Sequence, residues 1–264
     1  MSIFKRGIEN QNFILELKSN LYFQKMIADE DLFIAIRNEY LNVYYYGQSI
    51  CKIEFSANKI KWTSHKKYLG LNENGYADSS NHLDNLEELK QIAKTFGGKE
   101  KEQVKEQILK NKSLCVLDVE VTFGREENYG KRSIDYLALE KNENNKISLV
   151  FYEAKHFDNS EIRAREIPKV FEQIEKYERA LTDHFHQIEI LNSYKTIYKN
   201  VLELNLNNKS KLTELVEENI ENLEIDNEPR LIIFEIDPTK MTDIHIQKLK
   251  QHFGDKRLIL KEKI

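Results

Sequence analysis

An aspartate, a glutamate and a lysine stand in this chain at spacings that could assemble around a phosphodiester bond. Asp135 lies in RSIDYLAL, which alternates as a strand does, and Glu153 and Lys155 close the apolar run ISLVFY eighteen residues later. Two carboxylates on neighbouring strands can share one divalent cation. Lys155 faces the same side as Glu153, because strand side chains alternate with period two. Gln173 and Tyr177 follow, four residues apart and therefore on one helix face. This is the minimum equipment for metal-assisted phosphodiester hydrolysis.

With 32% of the chain charged, Glu-x-Lys triplets must also arise by accident. Glu16/Lys18 and Glu88/Lys90 are such triplets, but both lie in polar stretches of helical periodicity with no aspartate-bearing strand before them. Only Glu153 ends a run that reads as a strand buried on both faces, itself preceded by a second strand across the turn-rich EKNENNK. The alternative is an ordinary salt bridge between Asp135 and Lys155. Against it, an aspartate and a glutamate on adjacent strands would repel each other without a cation. Glu120, in LDVEVTF, is a further candidate ligand or water-holder, sharing a face with Asp118 by alternation; a solvated acidic edge explains it equally well.

These residues resemble the PD-(D/E)xK nuclease superfamily, and Gln173-Ile-Glu-Lys-Tyr177 is similar to the helix motif of its RecB-like branch. The resemblance covers roughly residues 100 to 182. Its first motif would be Ile134-Asp135, with isoleucine in place of proline, and its second Glu153-Ala154-Lys155. It implies an α/β fold of mixed sheet with a restriction-endonuclease-like αβββαβ core. It also implies Mg²⁺, for which Mn²⁺ could substitute, held by Asp135, Glu153 and the Ala154 carbonyl. Lys155 would orient or deprotonate the attacking water or neutralise the phosphate; Gln173 and Tyr177 would serve Lys155 or the nucleic-acid backbone, a core tyrosine being the competing reading for Tyr177. The family's upstream acidic residue would be Glu102 or Glu106. The implied activity is a nuclease with DNA ahead of RNA, in a prokaryotic restriction, repair or anti-phage role. The alternative is a catalytically silent scaffold or nucleic-acid-binding subunit.

The elements needed to position these residues are visible as periodicity. QNFILELKSNLYFQKMI has helical spacing, residues 31 to 69 read as a β-meander with turns at Asn38, Gly47 and Asn58, and NENGYADSSN (72 to 81) reads as a boundary. This divides the chain into an N-terminal β-rich module, 1 to 80, and a nuclease-like domain, 81 to 264, and a cut at the boundary should leave 76 to 264 folded. Downstream come helices broken at Gly97-Gly98, three strands, an amphipathic helix from Ile167 to about Leu204, a short helix LTELVEENIENL, strand RLIIFEID, helix TDIHIQKLKQHFG and strand RLILKEK.

Composition narrows the partners. A net charge of −4 and a pI near 6.1 leave no global basic footprint, so nucleic-acid contact would rest on local patches. The meander carries six basic residues against three acidic ones, with Tyr40, Tyr44, Tyr45, Tyr46 and Trp62 interleaved. It could be a stacking platform for nucleic acid or a module that docks on a partner. Arg163, Arg165 and Lys169 could meet phosphates or form a solvated helix start. A homodimer, or a partner ATPase or recognition subunit, is compatible with the absence of a phosphate-binding loop. Cys51 and Cys115 read as reduced core residues, and His156, His184 and His186 lack the companions a zinc site needs. Without a signal-like start or a membrane-length apolar run, a cytoplasmic protein with no membrane partner is expected.

Overall fold

The computed structural model describes residues 4–111, 114–123, 133–142, 146–164, 166–206 and 220–263. The protein is a mixed α+β chain with two sheets among the described residues, and it divides into two compact units, one of residues 5–117 with 192–217 and the other of 1–4, 118–191 and 218–264.

The first unit begins with helices Gln11–Ser19 (α1) and Leu21–Ala28 (α2), followed by strands Phe33–Ile36 (β1), Tyr40–Tyr45 (β2), Gln48–Ser56 (β3), Lys59–His65 (β4) and Tyr76–Asp78 (β5). The strands pair antiparallel in chain order. Two hairpins have two-residue turns, Tyr46-Gly47 and Ala57-Asn58, with positive φ at both positions. That backbone matches the right-handed strand twist, and Gly47 and Asn58 are residue types that adopt it at low cost. Alternation turns Leu41, Val43, Ile53 and Trp62 inward, where α1 packs on β4 and Phe13 stacks on Phe55 at 5.6 Å. Helices Leu86–Thr95 (α3) and Lys99–Lys110 (α4) complete this part of the chain.

The second unit is built on strands Cys115–Thr122 (β6, from residue 118 on), Ser133–Lys141 (β7) and Ile147–His156 (β8), then helix Lys169–Thr182 (α5) and the first part of helix His184–Leu204 (α6), whose residues from 192 on belong to the first unit. Strands Glu224–Ile225 (β9) and Arg230–Ile236 (β10), helix Ile244–Arg257 (α7) and strand Leu258–Glu262 (β11) follow. The sheet order is β11-β10-β8-β7-β6, with β9 beside β8. β7 and β8 are antiparallel, whereas β10 lies parallel to both β8 and β11. The apolar run in β8 is buried on both faces, as its unbroken hydrophobicity requires.

Three expectations change. The boundary placed at 80/81 falls inside the first unit, because the Asn/Gly/Ser-rich stretch turns the chain from β4 into β5: Lys66 N–H donates to the Gly75 carbonyl at 2.8 Å. The helix expected from Ile167 to Leu204 is two helices, since Asp183 caps the second by accepting from His186 N–H at 3.0 Å. The stretch LTELVEENIENL lies outside the described residues except for a 3₁₀ turn at Ile220–Asn222 and the buried Leu223 that follows it. Among the described residues no helix is long and apolar enough to cross a membrane.

The first unit also needs a distant segment. Buried Asn200 accepts from Ile8 N–H at 2.8 Å and donates to the Ile8 carbonyl at 3.0 Å. Asn200→Ala should therefore cost about 1–3 kcal/mol in urea unfolding, the scale of leaving buried backbone groups unsatisfied. Deleting residues 1 to 75 removes four of the five strands of the first unit's sheet, so in the fragment 76–264 helix α3 should lose its amide protection against hydrogen exchange. Native protection of α3 in that fragment would overturn this division of the chain.

Candidate active site

The site is set by one cross-strand register. Tyr136 of β7 and Tyr152 of β8 are paired residues, and their rings stack at 4.7 Å with planes 10° apart. With both tyrosines on one face, alternation places Asp135 and Glu153 together on the other. The β7–β8 ladder has its last pair at Tyr136 and Tyr152. Beyond it, the Asp135 Oδ2 carboxylate oxygen accepts the Ala154 N–H at 2.7 Å, replacing a backbone acceptor. A strand residue turns its N–H and C=O toward the same neighbour, so the Ala154 carbonyl faces the opening as well.

Glu153 and Lys155, two apart on β8, are almost fully buried. The Lys155 ammonium donates to Glu153 Oε1 at 2.7 Å and lies 3.0 Å from Glu161 Oε2. Gln173 and Tyr177 come to the same place on consecutive turns of α5. Gln173 Nε2 donates to Glu153 Oε1 at 2.5 Å and to the Tyr177 hydroxyl at 3.0 Å, and that hydroxyl donates to the Ser133 carbonyl at 3.0 Å. Asp135, Glu153, Lys155, Gln173 and Tyr177 thus form one polar cluster across two strands and a helix. The simple Asp135–Lys155 salt bridge is replaced by a bond from Lys155 to Glu153.

Glu120 lies on β6 with φ +49°, a left-handed strand position that costs a non-glycine residue about 1 kcal/mol or more. The kink interrupts the alternation from which its face was read. Its Oε2 accepts from Ser133 Oγ at 2.7 Å, while buried Asp118 accepts from Val119 N–H. Glu120 still bears on the site electrostatically. The Asp135 carboxyl is held well above the usual carboxylate range, first by loss of water and then by the charge of Glu153, with Glu120 adding to the rise. The Ala154 N–H and the Lys155 ammonium pull the other way. A donor set of two crowded carboxylates fits a divalent cation, which would relieve this repulsion.

Other singled-out residues fall elsewhere. Glu102 and Glu106 lie on α4, in the other unit. Arg163 packs over Phe157 and pairs with Asp158 at 3.3 Å, Lys169 opens α5, and Arg165 is outside the described residues. His156 accepts the Asp158 N–H in the turn after β8, and His184 and buried His186 begin α6. In the first unit, the outward face of the five-stranded sheet forms a groove of about 690 Å³ lined by Tyr40, Lys52, Glu54, Lys61 and Tyr76 among others. Its charge is locally balanced, with Lys52 2.5 Å from Glu54 and over the Tyr40 ring. Tyr45 and Tyr46 are covered by lysines of α3 and α4.

Glu161 was not found by sequence reasoning. It sits in an Asx turn, in which Asn159 Oδ1 accepts the Glu161 N–H at 2.9 Å; Asn159 signals the turn in the sequence and not the direction of the Glu161 side chain. Compared with known proteins, the chain matches no family model, no curated protein and no solved structure.

The raised Asp135 carboxyl has a signed consequence for the metal-free protein. Below the unfolded value, near the ordinary 3.8, Asp135 is protonated in both states; as pH climbs, the unfolded chain ionises first and the native state loses stability. Asp135→Asn keeps an acceptor for the Ala154 N–H without the charge. In EDTA it should melt at least about 2 °C above the natural chain at neutral pH, with the gap closing toward about pH 4. A gap that widens in acid would contradict this electrostatic account.

Proposed function

We propose that this chain is a divalent-metal-dependent nuclease that hydrolyses phosphodiester bonds, with DNA ahead of RNA as substrate. The observation that carries the reading is the placement of Asp135 and Glu153 on one sheet face, where the β7–β8 ladder opens, with Lys155 beside them. Three strands, two helices and, past the short β9, a further strand parallel to the third follow in chain order, which is compatible with the strand order of a PD-(D/E)xK core. Restriction, repair or anti-phage defence are the roles the resemblance suggests.

Asp135, Glu153 and the Ala154 carbonyl would hold Mg²⁺ or Mn²⁺. When bound, such a cation lowers the pKa of a ligated water and stabilises charge developing on phosphate oxygens. The chain's own groups supply the rest. Lys155, a buried ammonium, would face a phosphate with little competing water, where a fixed positive charge stabilises an oxyanion most. Gln173 holds the Glu153 carboxylate in its rotamer, and Tyr177 fixes Gln173 while tying α5 to the β7 backbone.

A second reading is favoured by a separate feature. Lys155 already compensates Glu153, and the raised carboxyl of Asp135 lessens the remaining charge, so the site is electrically tolerable with no cation. That is what a silent nuclease-fold scaffold would need. The two are separated by incubating the full chain with plasmid, linear duplex, single-stranded DNA and RNA in Mg²⁺, Mn²⁺ or EDTA. The nuclease reading expects metal-dependent cleavage, its loss in Asp135→Asn and Glu153→Gln, and a drop of about 10² or more in rate for Lys155→Ala. Binding without cleavage in every metal would favour the scaffold; full activity in either carboxylate variant would remove these residues from the site.

A further inference from the structure

Lys155 is shared between two carboxylates that differ in setting. Glu153 is 2% exposed in its side chain and belongs to the candidate cation site; Glu161 is 29% exposed and does not. Glu153 Oε1 takes both the Lys155 ammonium at 2.7 Å and Gln173 Nε2 at 2.5 Å. A divalent cation and an ammonium on the same carboxylate repel each other strongly in a buried setting. Lys155 therefore needs a second support if it is to remain in the site when Glu153 ligates metal.

Glu161 is built to provide one. Asn159 N–H donates to the His156 carbonyl at 2.8 Å, Asn159 Oδ1 accepts the Glu161 N–H at 2.9 Å, and the Glu161 carbonyl accepts the Val170 N–H at 3.3 Å. The backbone at Glu161 is thus anchored to the end of β8 and the start of α5 by bonds that do not involve Lys155. Its carboxylate reaches the ammonium at 3.0 Å from a segment of chain separate from β8 and α5. The partial exposure of Glu161 lets it remain solvated and charged at low cost, unlike a third fully buried acid.

We propose that Glu161 is a positioning residue of this site, the second carboxylate that retains Lys155 when a divalent cation engages Glu153. The inference rests on the nuclease reading and deepens it. Without Glu161 the ammonium relies more heavily on Glu153 and competes with the cation for it. Loss of Glu161 then weakens metal binding and leaves Lys155 poorly placed, and both effects operate through Lys155.

The test is a double-mutant cycle on the full chain, with Mn²⁺ binding read by calorimetry in parallel with cleavage. Glu161→Ala should weaken Mn²⁺ binding about threefold to tenfold and lower turnover at saturating Mn²⁺, with Glu161→Gln, which keeps a neutral acceptor, falling between it and the natural chain. In a Lys155→Ala background, Glu161→Ala should change Mn²⁺ affinity little. An effect that persists in that background marks a general electrostatic or structural role and overturns the proposal, as do natural values in Glu161→Ala and Glu161→Gln. Should Glu161→Ala fail to fold, Glu161→Gln carries the same cycle. Coupled Mn²⁺ binding by a chain that cleaves nothing would sink the nuclease reading while supporting the positioning role; absence of Mn²⁺ binding would sink both.

Discussion

Two acids held on one face of a sheet are the constraint around which the second unit is arranged. Neither Asp135 nor Glu153 chooses that position by itself. It follows from the register that stacks Tyr136 on Tyr152, because a slip by one residue would reverse the faces of one strand and separate the pair. On the tyrosine side the same pair of strands is tied by polar contacts: Arg230 donates to Glu140 at 2.6 Å and to the Tyr152 hydroxyl at 3.0 Å, and Tyr152 also meets Glu140. The stack and its ion pair lock the register that places the carboxylates. The cost of doing so appears on Asp135, whose carboxyl is driven upward by burial and by Glu153.

How much of this could be read from the sequence depends on whether an interaction is periodic. The unbroken run ISLVFY announced a strand buried on both faces, and the position of Asp135 in an alternating segment put it in register with Glu153 across a hairpin. Gln173 and Tyr177, one turn apart, could only lie on one helix face, and in the structure that face meets the two strands. What periodicity does not encode was missed. Glu161 reaches Lys155 from a turn, where no repeat fixes direction. Glu120 leaves the alternation because its backbone enters the left-handed region.

The organisation of the chain was harder to read for a related reason. Asn, Gly and Ser serve a tight connection between strands as well as they serve a linker, so the stretch before β5 gave the same signal for either. Asp183 interrupts what looks like a single amphipathic helix because one capping bond suffices to begin a new one, and apolar spacing continues across it. The dependence of Ile8 on Asn200 is a contact between residues 192 positions apart, carried by a single amide side chain. No local pattern in the sequence marks such a contact in advance.

These observations explain why the helix matters to the site beyond contributing side chains. The backbone ladder that holds β7 to β8 ends one residue short of Asp135 and Glu153, where the two strands would otherwise be free to spread. Two devices take over. Asp135 bonds across to the Ala154 N–H, and α5 bonds to both strands, with Gln173 on Glu153 of β8 and Tyr177 on the Ser133 carbonyl of β7. Because Gln173 also donates to Tyr177, the two attachments are joined through a single hydrogen-bonded chain. Where the ladder stops, side-chain bonds replace it and hold the two strands together. The Gln-x-x-x-Tyr spacing meets that need with one helical turn, the distance that lets a single face reach both strands.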